Sequence, residues 1–216
     1  MYKTVIFDLD GTLLDTLNDL HSAVNAALLK YGYPQRTKEE VRSFVGNGVK
    51  NLIKRSVNGV NNPDIEGVLQ AFIVYYGAHC KDETQPYEGI MQLLLDLKEK
   101  GISTAVVSNK ADFAVKILAE EYFQGLLLCA VGENEEGGVR KKPAPDSVLT
   151  VMQELNASPE STVYIGDSEV DIQTAKNAGV ACISVPWGFK DEAFLLANGA
   201  ERIARTPAEI LKICLE

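Results

Sequence analysis

Short apolar runs alternate with helical patterns along the second half of the chain, and this alternation limits the fold most strongly. The runs are almost continuously apolar, as expected for strands that are buried on both faces. The helical patterns between them give each pair of strands room for a crossover helix, so the strands can lie parallel. We therefore predict an α/β fold with a Rossmann-like parallel sheet. The predicted strands are 104–107, 126–131, 163–165 and 181–185, and the predicted helices lie near 88–100, 110–122, 145–156 and 168–178.

The first apolar run lies at the N-terminus and ends on two carboxylates that are one residue apart. It reads Val5-Ile6-Phe7-Asp8-Leu9-Asp10-Gly11-Thr12. Side chains alternate along a strand, so Asp8 and Asp10 can point to the same side of the sheet. Two carboxylates that lie close together repel each other and raise each other's pKa. A cation, a catalytic task or simple exposure to water would each explain the pair, and the spacing leaves all three open.

Residues 15–84 have a different pattern, in which apolar side chains repeat at helical spacing without a convincing strand. Pro86 and Gly89 mark the return to the sheet. We predict a helical insertion, the cap, directly after the first strand, with the two chain crossings forming a hinge. The predicted domains are a core of residues 1–14 and 85–216 and a cap of residues 15–84. The cap aromatic residues expected to pack in its interior are Phe72, Tyr75 and Tyr76.

The chain is acidic, with a net charge of -9 over 216 residues. This charge argues against a nucleic-acid partner held through its phosphates, although a local cationic pocket can still bind a small anion. The four cysteines are far apart and form no C-x-x-C pair, so neither a metal cluster nor a redox motif is indicated. No apolar run resembles a secretory signal or a membrane span. We expect a cytoplasmic protein, monomeric or homodimeric, without a membrane partner.

Four polar motifs follow one another along the chain, three of them at the ends of predicted strands, where open α/β sheets bind ligands. They resemble the four motifs of the haloacid dehalogenase superfamily, in order and over essentially the whole chain. The stretches GDSEVDIQTAKNAGV and Trp187-Gly188-Phe189 look like the phosphoglycolate phosphatase branch. The four motifs are Asp8-x-Asp10-Gly11-Thr12, Ser108-Asn109, Lys141-Lys142-Pro143-Ala144-Pro145-Asp146 and Gly166-Asp167-Ser168-Glu169-Val170-Asp171.

The resemblance implies a phosphomonoester phosphatase that works through an aspartyl-phosphate. Asp8 is the implied nucleophile. Asp10 is the implied general acid for the leaving alkoxide and afterwards the base for the attacking water. Ser108 would hydrogen-bond a phosphoryl oxygen. Lys142, the lysine directly before the proline, would pair with Asp8 and with the phosphate.

The resemblance also implies Mg²⁺ as the cofactor. The implied ligands are the side chains of Asp8 and Asp167 and the backbone carbonyl of Asp10, which suit a cation that prefers oxygen donors. Such a cation would answer the question posed by the carboxylate pair, because it neutralises the cluster. The residues assigned supporting roles are Gly11, Thr12 and Asp171.

The cap contains a glycine-flanked loop, 45–50, that resembles the loop through which this superfamily's caps meet substrate. A plain helix–helix turn, which Asn-Gly favours, explains the loop equally well, so both interpretations stay open. If the loop does meet substrate, a cationic or amide side chain there would contact the end of the substrate that carries no phosphate. The residues predicted to bind substrate are Arg42, Asn47, Lys50 and Asn109.

The expected partner is a small phosphorylated metabolite, and 2-phosphoglycolate is favoured by resemblance only. Pyrophosphate, 5'-nucleotides and sugar phosphates are rival substrates on the same core. A β-phosphoglucomutase would use the same two aspartates. Two further classes also stay open: a phosphonoacetaldehyde hydrolase, whose cap lysine (Lys50 or Lys54) forms a Schiff base, and a binding module that has lost catalysis.

Overall fold

A computed structural model describes residues 1–134 and 137–216, and its centre is a five-stranded sheet in which every neighbouring pair is parallel. Its strands are β1 (Thr4–Phe7), β4 (Ser103–Ala111), β5 (Cys129–Glu133), β6 (Thr162–Gly166) and β7 (Ala181–Ser184). Two short strands, β2 (Leu14–Asp15) and β3 (Gln85–Pro86), lie outside this sheet. The order across the sheet is β5-β4-β1-β6-β7. The first strand therefore lies in the middle, so the residues that follow it are surrounded by the ends of later strands.

Helices cover both faces of this sheet, as the predicted α/β fold requires. Along β1, Val5 and Phe7 belong to one buried cluster and Ile6 to another, because successive side chains point to opposite faces. The helices are α1 (Leu17–Lys30), α2 (Lys38–Phe44), α3 (Val49–Ser56), α4 (Ile65–His79), α5 (Ile90–Glu99), α6 (Asp112–Phe123), α7 (Asp146–Glu154), α8 (Glu169–Ala178), α9 (Glu192–Ala197) and α10 (Pro207–Leu215). Among the residues described, no helix is both long enough and apolar enough to cross a bilayer.

One predicted strand was placed too early. The apolar run 126–131 was expected to be a strand, but β5 begins only at Cys129. Gly125 has a φ of 72° and ends the preceding helix, after which the amide of Leu126 bonds back to the carbonyl of Phe123 at 2.9 Å. Leu128 is consequently 64% exposed, so part of this apolar run is a helix-terminating turn.

The helices α1 to α4 occupy the segment predicted to be the cap. The strand β2 before them pairs antiparallel with β3 after them, so the two chain crossings lie side by side. The sequence analysis missed the strands β2 and β3, because a strand of two residues is too short to show alternating apolar and polar side chains. The exact boundaries between core and cap stay a prediction.

The carboxylate of Asp19 fastens the two crossings together. It accepts hydrogen bonds from the backbone amides of Glu83 (3.0 and 3.2 Å) and Thr84 (2.9 Å) and from the Thr84 hydroxyl (2.8 Å). The carbonyl of Thr84 accepts a further bond from Tyr122 of α6, at 2.7 Å. Asp19 is buried, so this acid of α1 holds the two chain crossings together.

We expect Asp19→Ala to lower the free energy of unfolding by about 2–4 kcal/mol, because it leaves the buried amide and hydroxyl donors of Thr84 without an acceptor. Urea unfolding followed by circular dichroism measures the effect. Asp82→Ala is the matched control, since its exposed pair with His79 should contribute less than about 1 kcal/mol. If both variants lost the same free energy of unfolding, that result would contradict the role of Asp19 in holding the two chain crossings together.

Candidate active site

A buried ion pair joins the first motif to the third at the carboxyl end of the sheet. Asp8 directly follows β1, and Lys142 lies in the loop before α7. The Nζ atom of Lys142 lies 3.0 Å from Oδ2 of Asp8 and 2.7 Å from Oδ1 of Asp171. It also donates to the hydroxyl of Tyr164 at 3.0 Å. The lysine directly before the proline is therefore the one that points inward between two carboxylates.

Asn109 holds the backbone of Lys142 in place. Its Oδ1 atom accepts the amide of Lys142 at 2.7 Å, and its Nδ2 atom donates to the Lys142 carbonyl at 3.0 Å. The same Nδ2 atom donates to the carbonyl of Gly46 in the cap loop at 3.1 Å. Asn109 also lines the pocket described below, where substrate contact stays a prediction.

The two acids of the fourth motif have different environments. Asp167 accepts the amide of Phe189 at 2.7 Å and the hydroxyl of Thr12 at 3.3 Å. Asp171 is completely buried and forms a capping box with Ser168 at the start of α8, while its other oxygen binds Lys142. Both oxygens of Asp171 are thus used within the protein, which suits a residue that positions Lys142.

Burial dominates the electrostatics of this cluster. It raises the pKa of Asp8 to about 6, although the nearby ammonium of Lys142 opposes the shift. Burial also raises the pKa of Asp167, and the neighbouring Asp171 and Asp8 raise it further. For Lys142, burial lowers the pKa, but the carboxylates of Asp171 and Asp8 outweigh it and hold the pKa above its usual value. Ionising all three carboxylates would therefore leave more negative charge than one lysine neutralises.

The carboxylates of Asp8, Asp167 and Asp171 form a group that fits a metal ion. Each offers an oxygen, and the three oxygens lie within 4.8 Å of one another. Asp171 is completely buried and does not line the pocket described below, whereas Asp8 and Asp167 do, so Asp8 and Asp167 are the better placed side-chain ligands. An all-oxygen, net negative donor set suits a hard divalent cation.

Two glycines let the backbone pass close to Asp167. Gly11 has a φ of 81°, and a Cβ atom added there would lie 2.5 Å from Oδ2 of Asp167. A Cβ on Gly188 would lie 2.2 Å from the carbonyl oxygen of Gly11 and 2.4 Å from the same Asp167 oxygen. The neighbouring Trp187 donates its indole N–H to the carbonyl of Thr12 at 3.1 Å. Loop 187–189 therefore closes one side of the site.

A second buried lysine, which the sequence analysis missed, lies on the other side of the site. The Nζ atom of Lys110 is 2.9 and 3.1 Å from the two carboxylate oxygens of Asp10 and 2.6 Å from the hydroxyl of Tyr76. Burial lowers the pKa of Lys110, but Asp10 and Tyr76 raise it above its ordinary value. In the sequence, the feature that could have identified Lys110 is its position directly after the motif Ser108-Asn109. Tyr76 does pack inside the cap, as predicted, but its hydroxyl reaches the core.

Three of the four predicted catalytic residues and several cap residues line one pocket, while Lys142 lies behind Asp8 and is not among the lining residues. Its lining includes Asp8, Asp10, Ser108 and Asp167. Most of the remaining wall is apolar and comes from the cap and from the start of α6. The apolar lining residues include Leu20, Val49, Leu52, Phe72, Ile73 and Phe113.

Arg42, Asn47 and Lys50 belong to the described part of the chain but are not among the lining residues of this pocket. Arg42 donates to the carbonyls of Gly188 (2.6 Å) and Phe189 (3.0 Å), and so joins the cap to loop 187–189. Lys50 pairs with Glu66 at 3.0 Å on the exposed face of the cap. The carbonyl of Asn47, which precedes α3, accepts a hydrogen bond from the side-chain amide of Asn51 at 2.8 Å. Substrate contact by these three residues stays a prediction.

Comparison with known proteins agrees with this geometry. The family model for haloacid dehalogenase-like hydrolases matches residues 5–185. A phosphoglycolate phosphatase of Pseudomonas putida is 34% identical over 193 residues, covering 87% of this chain and 70% of its own length. An N-acetylmuramic acid 6-phosphate phosphatase of Pseudomonas aeruginosa is 30% identical and covers 98% of this chain and 94% of its own.

A solved structure shows the same architecture. It is a candidate phosphoglycolate phosphatase from Lactobacillus delbrueckii subsp. bulgaricus, which superimposes with a TM-score of 0.91. The two chains are 38% identical, and the match covers 99% of this chain and 98% of the other. The fold class and the family resemblance predicted from the four motifs are confirmed. This chain belongs to the haloacid dehalogenase-like hydrolase family.

Proposed function

We propose that the protein hydrolyses phosphomonoesters through an aspartyl-phosphate formed on Asp8. The observation that carries this proposal is the carboxylate of Asp8, which lines the pocket and lies 3.0 Å from the buried ammonium of Lys142. A nucleophile at the pocket wall and a fixed positive charge directly behind it are the two elements that phosphoryl transfer needs most. The curated relatives, which are phosphatases, support the same reaction class.

In the first step, an oxygen of Asp8 attacks phosphorus while the bond from phosphorus to the ester oxygen breaks. Lys142 and the hydroxyl of Ser108 bind phosphoryl oxygens, whose negative charge Lys142 balances. Asp10 gives its proton to the departing alkoxide, so that an alcohol leaves. The result is a mixed anhydride between Asp8 and phosphate.

In the second step, a water molecule attacks the phosphorus of the aspartyl-phosphate. Asp10, now ionised, accepts the proton of this water, and the bond from phosphorus to Asp8 breaks. Inorganic phosphate leaves, with Asp8 and Asp10 restored. The apolar cap wall limits how much other water reaches the anhydride.

We propose Mg²⁺ as the cation, held by the side chains of Asp8 and Asp167 and by the backbone carbonyl of Asp10. When bound, it neutralises the excess negative charge of these carboxylates and of the phosphoryl group. Asp171 then serves as a positioning residue, since it is completely buried, does not line the pocket and pairs with Lys142 at 2.7 Å. Gly11 and Thr12 support the site through their close approach and hydrogen bond to Asp167.

The favoured substrate is 2-phosphoglycolate. The name of the Pseudomonas putida relative supports it. A cytoplasmic location and a small phosphorylated metabolite as partner of a monomer or homodimer complete the proposal.

Phosphate release from a panel of esters tests this function. The panel contains 2-phosphoglycolate, N-acetylmuramic acid 6-phosphate, glucose 1-phosphate, a 5'-nucleotide and pyrophosphate, each with Mg²⁺ and with EDTA. We expect Mg²⁺-dependent release that is fastest with 2-phosphoglycolate and absent from the Asp8→Asn protein. Release that survives both EDTA and the Asp8 substitution would contradict the proposal.

A further inference from the structure

Lys110 carries a buried positive charge that the proposed reaction does not use. Its side chain is only 4% exposed, and its ammonium lies between Asp10 of the core and Tyr76 of the cap helix α4. The Nζ atom also lies 4.6 Å from the centre of the Tyr76 ring. Burying an ammonium costs free energy unless hydrogen-bonding partners surround it, so this arrangement is a built site for an anion.

The anion site lies close to the reacting groups. Lys110 is two residues after Ser108, and both line the same pocket as Asp8. The other lysine that lines the pocket in the described part of the chain is Lys190, whose Nζ atom lies 5.1 Å from the Phe194 ring. A second negative group on a bound ester would therefore find its buried cationic partner at Lys110.

Asp10 itself shows which anion fits. Both oxygens of its carboxylate lie within 3.1 Å of Nζ of Lys110, and the Tyr76 hydroxyl is bound to the same ammonium. A carboxylate on the substrate could make the same contacts if it were near the ester oxygen. The site is thus a carboxylate site that the protein fills with its own side chain.

We propose that Lys110 and Tyr76 bind the carboxylate of a substrate whose ester oxygen and carboxylate share one carbon, and that this carboxylate displaces Asp10 from Lys110. This inference rests on the proposed function and names the residues that select its substrate class, the 2-phospho-oxy carboxylic acids. Once displaced from the ammonium, Asp10 takes up a proton from the solvent and is free to turn toward the leaving oxygen, to which it gives that proton. An ester without this carboxylate leaves Asp10 bound to Lys110. The substrate carboxylate should therefore raise kcat as well as lower KM.

Steady-state kinetics with two matched esters test the site. The esters are 2-phosphoglycolate and 2-hydroxyethyl phosphate, which differ only in a carboxylate replaced by a hydroxymethyl group. For wild type, we expect kcat/KM with 2-phosphoglycolate to exceed kcat/KM with 2-hydroxyethyl phosphate by about 100-fold or more. This ratio is in the range of a buried charge-assisted pair. Lys110→Met should reduce this ratio below about tenfold, and Lys190→Met, the matched control, should keep it.

Tyr76→Phe provides a milder variant that retains the ring. It should reduce the ratio by about fivefold, the effect of one lost hydrogen bond of ordinary strength. The inference is overturned if Lys110→Met lowers kcat/KM equally for both esters, if Tyr76→Phe keeps the full ratio, or if Lys190→Met removes the preference.

A binding measurement separates this inference from the proposed function. Calorimetry measures the affinity of both esters for Asp8→Asn and for Asp8→Asn combined with Lys110→Met, neither of which needs turnover. We expect the preference for the carboxylate to disappear only in the double variant. If wild type shows no phosphate release that depends on Asp8, the proposed function fails, while the calorimetric preference still decides the role of Lys110.

Discussion

The Asp8→Asn protein should fold and should lose phosphatase activity by about 10⁵-fold or more, as expected when a covalent nucleophile is removed. The change is isosteric, and Asn cannot form the acyl phosphate. Phosphate release with 2-phosphoglycolate and Mg²⁺ measures the loss, and circular dichroism verifies the fold. Asp15→Asn, the same change at an exposed carboxylate of the same segment, should retain activity within about threefold, as is usual for surface substitutions.

The sign of the effect on stability follows from the pKa of Asp8. Burial raises that pKa from 3.8 to about 6, so ionisation of Asp8 costs the metal-free fold free energy as pH rises through this range. At pH 7 the substitution removes that cost. We therefore expect metal-free Asp8→Asn to unfold at a temperature no lower than wild type. A variant that folds and still turns over 2-phosphoglycolate at the wild-type rate would remove Asp8 from the chemistry.

The second large effect is expected at Lys142. Lys142→Met should lower kcat by about 10³-fold or more, because the transferring phosphoryl group loses its fixed positive charge. The fold should also lose about 3–5 kcal/mol, since Asp8 and Asp171 are left as buried charges without their shared partner. Kinetics below the unfolding temperature, together with urea unfolding, measure both effects.

Two further variants make the Lys142 result specific. Lys142→Arg keeps the charge but not the compact geometry between Asp8 and Asp171, so we expect stability to recover in part while kcat stays at least about 100-fold low. Lys141→Met, at the adjacent lysine, should keep kcat within about threefold. If Lys141→Met abolished turnover and Lys142→Met did not, the assignment of the inward lysine would be reversed.

The parallel sheet was predictable because its strands are continuous apolar runs, such as 163–165, that end on polar residues. The strand that begins at Cys129 was misplaced because the apolar Leu126 and Leu128 belong to the turn after α6, where Gly125 adopts a positive φ. Apolar composition alone does not separate such a turn from a strand. The pair β2 and β3 was missed because two residues are too few to show a pattern.

The chemical groups of the site were predictable from the motifs, whereas their partners across the cap were not. Lys110 and Tyr76 are 34 positions apart in the chain, and only the packing of α4 over the sheet brings them together. Arg42 illustrates the same limit. Its charge suggested a contact with substrate, but the folded chain places its guanidinium on the carbonyls of Gly188 and Phe189.

Trapping the covalent intermediate tests the central claim most directly. Wild-type protein mixed with 2-phosphoglycolate and Mg²⁺ is quenched in acid within the first turnover, digested, and analysed by mass spectrometry. We predict one phosphoryl group on the peptide that contains Asp8, on Asp8 itself, at a time when glycolate has been released but inorganic phosphate has not. Glycolate and phosphate released together with Asp8 unmodified, or a phosphoryl group on another residue, would contradict hydrolysis through an aspartyl-phosphate on Asp8.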